Sequence, residues 1–155
     1  MIRDANADDV ETLTALTLQI QRLHVAAEAG RFAAPPDDDL TRWWAGRITA
    51  EGWRTLVAEL DGHVVGYILV ELVARDSSIF TTAVRELHIH HLGIDSHLRR
   101  QGVGRALVEA AQQHADRLGA TQVTLTTWGF NVAAQEFFAS CGYEAYNVRM
   151  RRTQL

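Results

Sequence analysis

The sequence predicts an α+β fold: a mixed, mostly antiparallel central sheet with helices on both faces. Three observations predict it. Segments of strand and helix character follow one another in the order β-α-α-β-β-β-α-β-α-β. Asp61-Gly62 separates two apolar runs and is the dipeptide that favours a tight hairpin. A single β-α-β crossover comes late in the chain, around the amphipathic stretch that begins near Val103. At 155 residues, and with no repeat, low-complexity tract or dividing linker, the chain reads as one domain, 1–155.

Ile2 and Arg3 make a short first strand, and Asn6 to Asp9 supply N-cap candidates. Leu13, Leu16, Ile20 and Leu23 then fall at helical spacing, predicting a helix to about Glu28. GRFAAPPDDD breaks it. A second helix carries Trp43, Trp44, Arg47 and Ile48. Arg54–Leu60 is a strand, and HVVGYILVELVA, from His63, returns as the next. Val103, Leu107, Ala110, Ala111, His114 and Leu118 share one face of a long helix, with Gly119 as its C′ residue. Gln122–Trp128 is a strand. Asn131 caps a short helix with apolar positions Ala134, Phe137 and Phe138, and Gly142 lies beyond its end. YEAYNVRMRR, from Tyr143, reads as a last strand.

The strand Val84–Ile94, VRELHIHHLGI, carries an irregularity. Leu87 and Ile89 occupy odd positions, whereas Leu92 and Ile94 occupy even ones. Side chains alternate faces along a strand, so a slip of one residue turns the apolar set outward unless an extra residue is absorbed. The expectation is a β-bulge near His90 to Leu92. A strand buried on both faces, in which parity carries no signal, is the alternative.

Composition sets limits on function. Hydrophobic residues are 47% and charged residues 22%, ordinary for a globular protein. The net charge of −4 argues against nucleic-acid binding. The longest apolar run, Val64–Val70, is too short to span a bilayer, and the opening MIRDANADDVETL is too polar for a signal peptide, so no membrane role is expected. Cys141 is the only cysteine, which excludes an internal disulfide and makes the cytoplasm the expected location.

RRQGVGR, Arg99–Arg105, opens the long helix. Glycine gives up more backbone freedom than other residues on ordering, so two at a helix start suggest close approach of something else. A helix N-terminus offers about four unpaired N–H groups and the positive end of the dipole, a ready anion site. Gly102 and Gly104 would let a phosphate approach without a Cβ in the way, and Arg99, Arg100 and Arg105 add charge at the rim. A tight turn into a helix is the plainer reading. The dinucleotide fingerprint fails because Leu107 stands where its third glycine belongs, and the Walker pattern fails for want of Gly-Lys-Ser/Thr.

Arg99-x-x-Gly102-x-Gly104, after a strand ending LGI, resembles motif A of the GNAT superfamily of acyl-CoA-dependent N-acetyltransferases. Asn131-x-x-Ala134, Phe137-Phe138 and Gly142-Tyr143 resemble its motif B, and the element order matches over nearly the full length. The resemblance implies that acetyl-CoA is the co-substrate, with no metal, and that the amides of Arg100, Gln101, Gly102, Val103, Gly104 and Arg105 hold its pyrophosphate. It implies that the strands carrying Leu92, Gly93 and Ile94 and Thr124 to Trp128 splay apart around the pantetheine arm. Asn131 would reach that arm, Phe138 would lie beside the cofactor, and the Leu92 N–H would face the acetyl carbonyl. Dimers are common in the family, so a homodimer is among the expectations.

The implied reaction is attack of an amine on the thioester. The acceptor is a primary amine of a small molecule or peptide. An alkyl amine with a pKa of about 10.4 is protonated at pH 7 and needs a base. Glu86 is the first candidate, with His88 or His90 serving equally well and an ion pair with an arginine as the alternative role for Glu86. Phe138 departs from the family, which usually has a tyrosine there to protonate the departing thiolate. Tyr143 and Cys141 do not sit at the matching position, so no general acid is assigned. The departure motivates a second reading, a non-catalytic acyl-CoA-binding or regulatory domain. A nucleotide-binding module is a more distant third. His88, His90 and His91 lack carboxylates or cysteines at metal-ligand spacing. Either Asp37 to Asp39 beside Trp43 and Trp44 attract and cage a cationic amine, or Asp38 and Asp39 cap the second helix while the tryptophans fill the core.

Overall fold

The computed structural model describes residues 1–154. Its elements are β1 (Ile2–Asp4), α1 (Val10–Ala27), α2 (Asp37–Arg47), β2 (Trp53–Leu60), β3 (His63–Arg75), β4 (Val84–Ile94), α3 (Val103–Arg117), β5 (Gln122–Leu125) and α4 (Val132–Ser140). Single 3₁₀ turns precede α1 and follow β4. The five strands lie in sequence order in one sheet. All neighbours are antiparallel except β4 and β5, which the α3 crossover makes parallel.

Each face of the sheet buries its own core. On one face α1 and α2 cover Val57, Tyr67 and Leu69 through Leu13, Leu16 and Trp44. On the other, α3 and α4 cover Leu56, Ile68, Val70, Leu87 and Ile89 through Leu107, Val108, Ala111 and Phe138. Strand alternation explains the division, since neighbouring residues of β3 point to opposite layers. The first layer contains a satisfied polar chain. The Trp44 indole N–H donates to Thr17 Oγ1 at 3.0 Å, and Thr17 Oγ1 lies 2.9 Å from the Tyr67 hydroxyl. Trp44 is therefore core, and Asp37 to Asp39 form the exposed first turn of α2 beyond its N-cap Pro36. There they complement the helix dipole, and the cationic cage is not formed.

The bulge lies where strand parity predicts it. Leu69 pairs with His91 and Val70 with Ile89, so His90 is the extra residue. The slip lets Ile89 and Leu92 both face the α3 layer, and it turns His90 and His91 together toward α1 and α2. Gly93, just beyond, is required by close packing. A Cβ there would stand 2.3 Å from Tyr67 Cε1 and 2.8 Å from Ile20 Cδ1.

Two expectations fail, and both concern the same side of the sheet. The strand expected to end at Trp128 ends at Leu125. The last strand expected from Tyr143 does not form, because the tail has no neighbouring strand to pair with in this chain. A strand exists through its ladder bonds, so β-like sequence without a partner remains an extended coil.

Candidate active site

The bulge opens the sheet. β4 and β5 pair only over Glu86–Ile89 and Gln122–Leu125. Beyond Ile89 they part, so Leu92, Gly93 and Ile94 are bonded to β3 alone and border a gap whose far side is Thr126 to Trp128. An unpaired backbone edge of this kind can accept an extended, amide-containing ligand as an added strand.

At the mouth of the gap lies the start of α3. Gly102 is its N-cap with φ +84°, a left-handed conformation that residues with a Cβ rarely adopt. Arg100, at φ +65°, shares that rare region and makes a tight turn. The first intrahelical bond there is from Ala106 N–H to the Gly102 carbonyl, so the amides of Gly102, Val103, Gly104 and Arg105 have no backbone acceptor among the described residues. Arg99, Arg100 and Gln101 are exposed beside them. Four open amides, the dipole and two guanidinium groups fit a diphosphate.

Two of the predicted residues have other work. A Cβ on Gly104 would stand 3.2 Å from the Phe137 ring, so this glycine lets α3 and α4 pack closely and does not clear a path for phosphate. Arg105 reaches back to the Ser140 carbonyl and hydroxyl, both at 3.2 Å, and links the same two helices. Asn131 caps α4 through Oδ1, which accepts from Ala134 N–H at 3.2 Å, leaving its amide NH₂ free for a ligand. Phe138 is buried between Phe137 and Tyr143, with ring centroids 5.1 and 5.6 Å away. Among the described residues the buried Tyr143 hydroxyl has no hydrogen-bond partner, and burial pushes its pKa up to about 12.

The α1/α2 face of β4 carries the titratable groups. Glu86 is buried and both its oxygens are engaged: Arg75 donates to one at 3.2 Å and Gln122 to the other at 2.7 Å. The ion-pair alternative for Glu86 is thus realised. His88 Nδ1 lies 2.8 Å from Thr124 Oγ1, and its ring meets that of His90 edge-on at 4.7 Å. His90 Nε2 lies 2.8 Å from Glu71 Oε2, with Trp53 packed on its ring at 4.3 Å. Burial, then the neighbouring His90, lowers the pKa of His88 and favours the neutral, proton-accepting imidazole. Glu71, Trp53 and Thr124 were invisible to sequence reading. They reach the histidines only through the β3–β4 and β4–β5 registers and the return of β2 alongside. Among the described residues, no three His, Cys, Asp or Glu side chains gather as a metal-binding group.

His91, stacked on Trp43 at 5.6 Å, is held neutral: burial lowers its pKa to about 4. In the unfolded chain it would titrate near 6.5, so the unfolded state binds the extra proton between those values. Stability is complete above about pH 6.5 and falls as the pH drops toward 4, by at most about 3 kcal/mol from this residue. His91→Phe should flatten that slope in denaturant titrations at pH 7 and pH 4.5; an unchanged slope would assign the acid sensitivity elsewhere.

A central sheet that splays at a bulge, with a helix start of unpaired amides at its mouth, defines the α+β class of this domain. The chain belongs to the Acetyltransferase (GNAT) family, whose family model matches residues 17–143. Rat N-acetyltransferase family 8 member 3 is 35% identical over 88 residues, 57% of this chain and 37% of that protein, so the chain spans well under half the length of this relative. A solved mutant of the BH1408 protein from Bacillus halodurans superposes with TM-score 0.96 at 22% identity, over 100% of this chain and 99% of that one. Aminoglycoside N-acetyltransferase AAC(6')-Iy in complex with CoA superposes with TM-score 0.77 at 19% identity, over 100% and 95% of the chains. These two likenesses show the fold. No described helix is long and apolar enough to cross a membrane.

Proposed function

We propose that this chain is an acetyl-CoA-dependent N-acetyltransferase that acetylates a primary amine of a small molecule or peptide by direct attack, as a single 1–155 domain in the cytoplasm. The observation that carries the reading is the coincidence of three features: the gap beside Leu92 to Ile94, the open amides of Gly102 to Arg105 at its mouth, and a pair of histidines on the adjoining face of β4.

Bound acetyl-CoA would supply the activated acyl group as a thioester. The amides from Gly102 to Arg105, with Arg99, Arg100 and Gln101, would hold its diphosphate. The backbone of Leu92, Gly93 and Ile94 and the Asn131 side chain would hold the arm, with Phe138 filling the floor near α4. The Leu92 N–H would take up charge building on the acyl oxygen.

Of the three base candidates, His90 and His88 are better placed than Glu86, whose carboxylate is spent on Arg75 and Gln122. We therefore assign His90 to receive the proton of the incoming ammonium, directly or through one water, with Glu71 orienting its ring and His88 packed edge-on beside it. The freed nitrogen lone pair attacks the acyl carbon, the C–S bond breaks, the sulfur leaves as thiolate, and the nitrogen gives up its second proton to water or to that thiolate. A thiol pKa of about 8.5 makes that departure tolerable without a general acid, consistent with phenylalanine at position 138.

Calorimetric titration with acetyl-CoA, CoA, ATP and NADH, followed by CoA release with an amine panel, tests the reading. Selective acetyl-CoA binding and amine-dependent CoA release are expected. Binding without turnover on any amine favours the non-catalytic acyl-CoA-binding reading that Phe138 motivates, and no CoA binding overturns both.

Gly102→Ala should weaken acetyl-CoA binding about tenfold and lower stability by about 1–2 kcal/mol, because alanine at φ +84° is strained. Unchanged affinity in calorimetry would show that this turn does not hold the ligand.

A further inference from the structure

We propose that Arg47 anchors a carboxylate of the acceptor, so that the amine acetylated by this chain belongs to a free amino acid or a similarly short amino carboxylate. The inference rests on the reading of the chain as an N-acetyltransferase with His90 as base, and it narrows an acceptor which that reading leaves general. Arg47 lies in the last turn of α2. Its guanidinium carbon is 4.0 Å from the Trp53 ring centre and 4.9 Å from that of Trp43. Two aromatic faces therefore hold the cation in place.

What Arg47 lacks is a counter-charge. Arg3 and Arg54, equally half-buried, each grip a carboxylate. Among the described residues no carboxylate pairs with Arg47, and its enclosed Nε has no acceptor. A cation drawn partly out of water without a counter-charge is costly. The C-terminal end of the α2 dipole and the two indoles offset part of that cost. Neither accepts hydrogen bonds from the guanidinium, whereas a carboxylate meets two of its N–H groups at once.

The position of Arg47 ties it to the site. The Trp53 ring that carries Arg47 also packs on the His90 ring at 4.3 Å. The two distances together cap the separation of guanidinium carbon and His90 ring centre at about 8 Å. Glu71, opposite Trp53 in the β2–β3 register, lies 2.8 Å from His90. The surface around this indole thus offers a carboxylate and a proton acceptor for an ammonium, and a guanidinium for an anion. That is the complement of a zwitterion. Contacts of about 3 Å at either end leave the length of one short amino acid between them. A polyamine or aminoglycoside brings several positive charges toward a fixed cation, which opposes its binding. The N-terminus of a peptide carries its terminal carboxylate too far away to use Arg47.

The test compares free L-amino acids with their matching amides, which keep the amine and lose the anion. With acetyl-CoA saturating, the best acid should exceed its amide at least about tenfold in kcat/KM. Arg47→Gln should collapse that preference toward one, chiefly through the KM of the acid. Comparing the acid-to-amide ratio between variant and unaltered chain cancels the different basicities of the two amines. Arg47→Lys keeps the charge without the paired N–H geometry and should fall between. Calorimetric titration of the CoA-bound chain with the same acids reads the anchor without turnover. Acids bound in an Arg47-dependent way but never acetylated would keep the anchor and overturn the catalytic reading. Amines acetylated with no acid preference, or with one that survives Arg47→Gln, would overturn the anchor and keep the catalytic reading. Neither binding nor turnover of any acid overturns the anchor as well. If the glutamine variant fails to fold, the acid-to-amide ratio of the unaltered chain and of Arg47→Lys decides.

Discussion

The double replacement His88→Gln, His90→Gln is expected to lower kcat/KM at pH 7 by about 10²–10⁴-fold, the usual contribution of a positioned acid–base group. Glutamine keeps a polar side chain of similar reach, so its amide can still meet Thr124 or Glu71 while it cannot accept a proton at neutral pH. Binding of acetyl-CoA should be unchanged, because neither ring belongs to the diphosphate site. The pH profile carries the sharper test. A neutral imidazole must be the working form, so activity should rise with pH. The burial that lowers the pKa of His88 places its part of that limb below the ordinary value of about 6.5. In the double variant the limb should move up toward the amine's own value of about 10.4, as only free amine then reacts. Glu86→Gln should have a smaller effect on kcat/KM and a larger one on stability, since it strips Arg75 of its buried partner. If Glu86→Gln abolishes the acid limb and the histidine variant keeps it, the assignment is reversed.

Trp44→Ala should destabilise the fold by about 3–5 kcal/mol, the range for removing a buried aromatic side chain. Trp44 is fully buried, meets Tyr67 and Trp43 edge-on at 5.1 and 5.0 Å, and donates to Thr17. For a chain of this size the loss corresponds to a fall in Tm of about 10 °C in calorimetry. Trp44→Phe keeps most of the apolar volume and removes the N–H donor, so its cost should be nearer 1 kcal/mol. Equal effects of the two variants would mean that the hydrogen bond to Thr17, and not packing, dominates. A strong loss of amine acetylation by Trp44→Phe with stability intact would restore the cationic-cage role that its burial argues against.

The bulge at His90 was legible because parity is a local property. Two apolar pairs of opposite phase in one strand point to an extra residue wherever one face of the strand carries its apolar set. The helix start at Gly102 was legible for a similar reason, since glycine at a left-handed position leaves its mark on a few consecutive residues. Gly104 was misread in role. Its neighbour Phe137 is 33 positions away in the chain, and no local pattern states that two helices touch there. The choice between base and ion pair for Glu86 stayed open for the same reason: Arg75 and Gln122 reach it from β3 and β5.

By itself, the sequence determined the order of elements through α4, the hairpin at Asp61-Gly62, the slip within β4 and the family to which the chain belongs. The first three depend on backbone preference and apolar period, which act over a few residues, and the last on the resemblance of two short motifs. Tertiary structure decided which groups are free to do chemistry and which segments are strands. It tied Glu86 to Arg75, linked His90 to Glu71 and His88 to Thr124, turned Trp44 into core, and left 143–152 without a ladder. Pairing and burial are relations between distant residues, and a hydrogen-bond partner or a neighbouring strand exists only once the chain has folded.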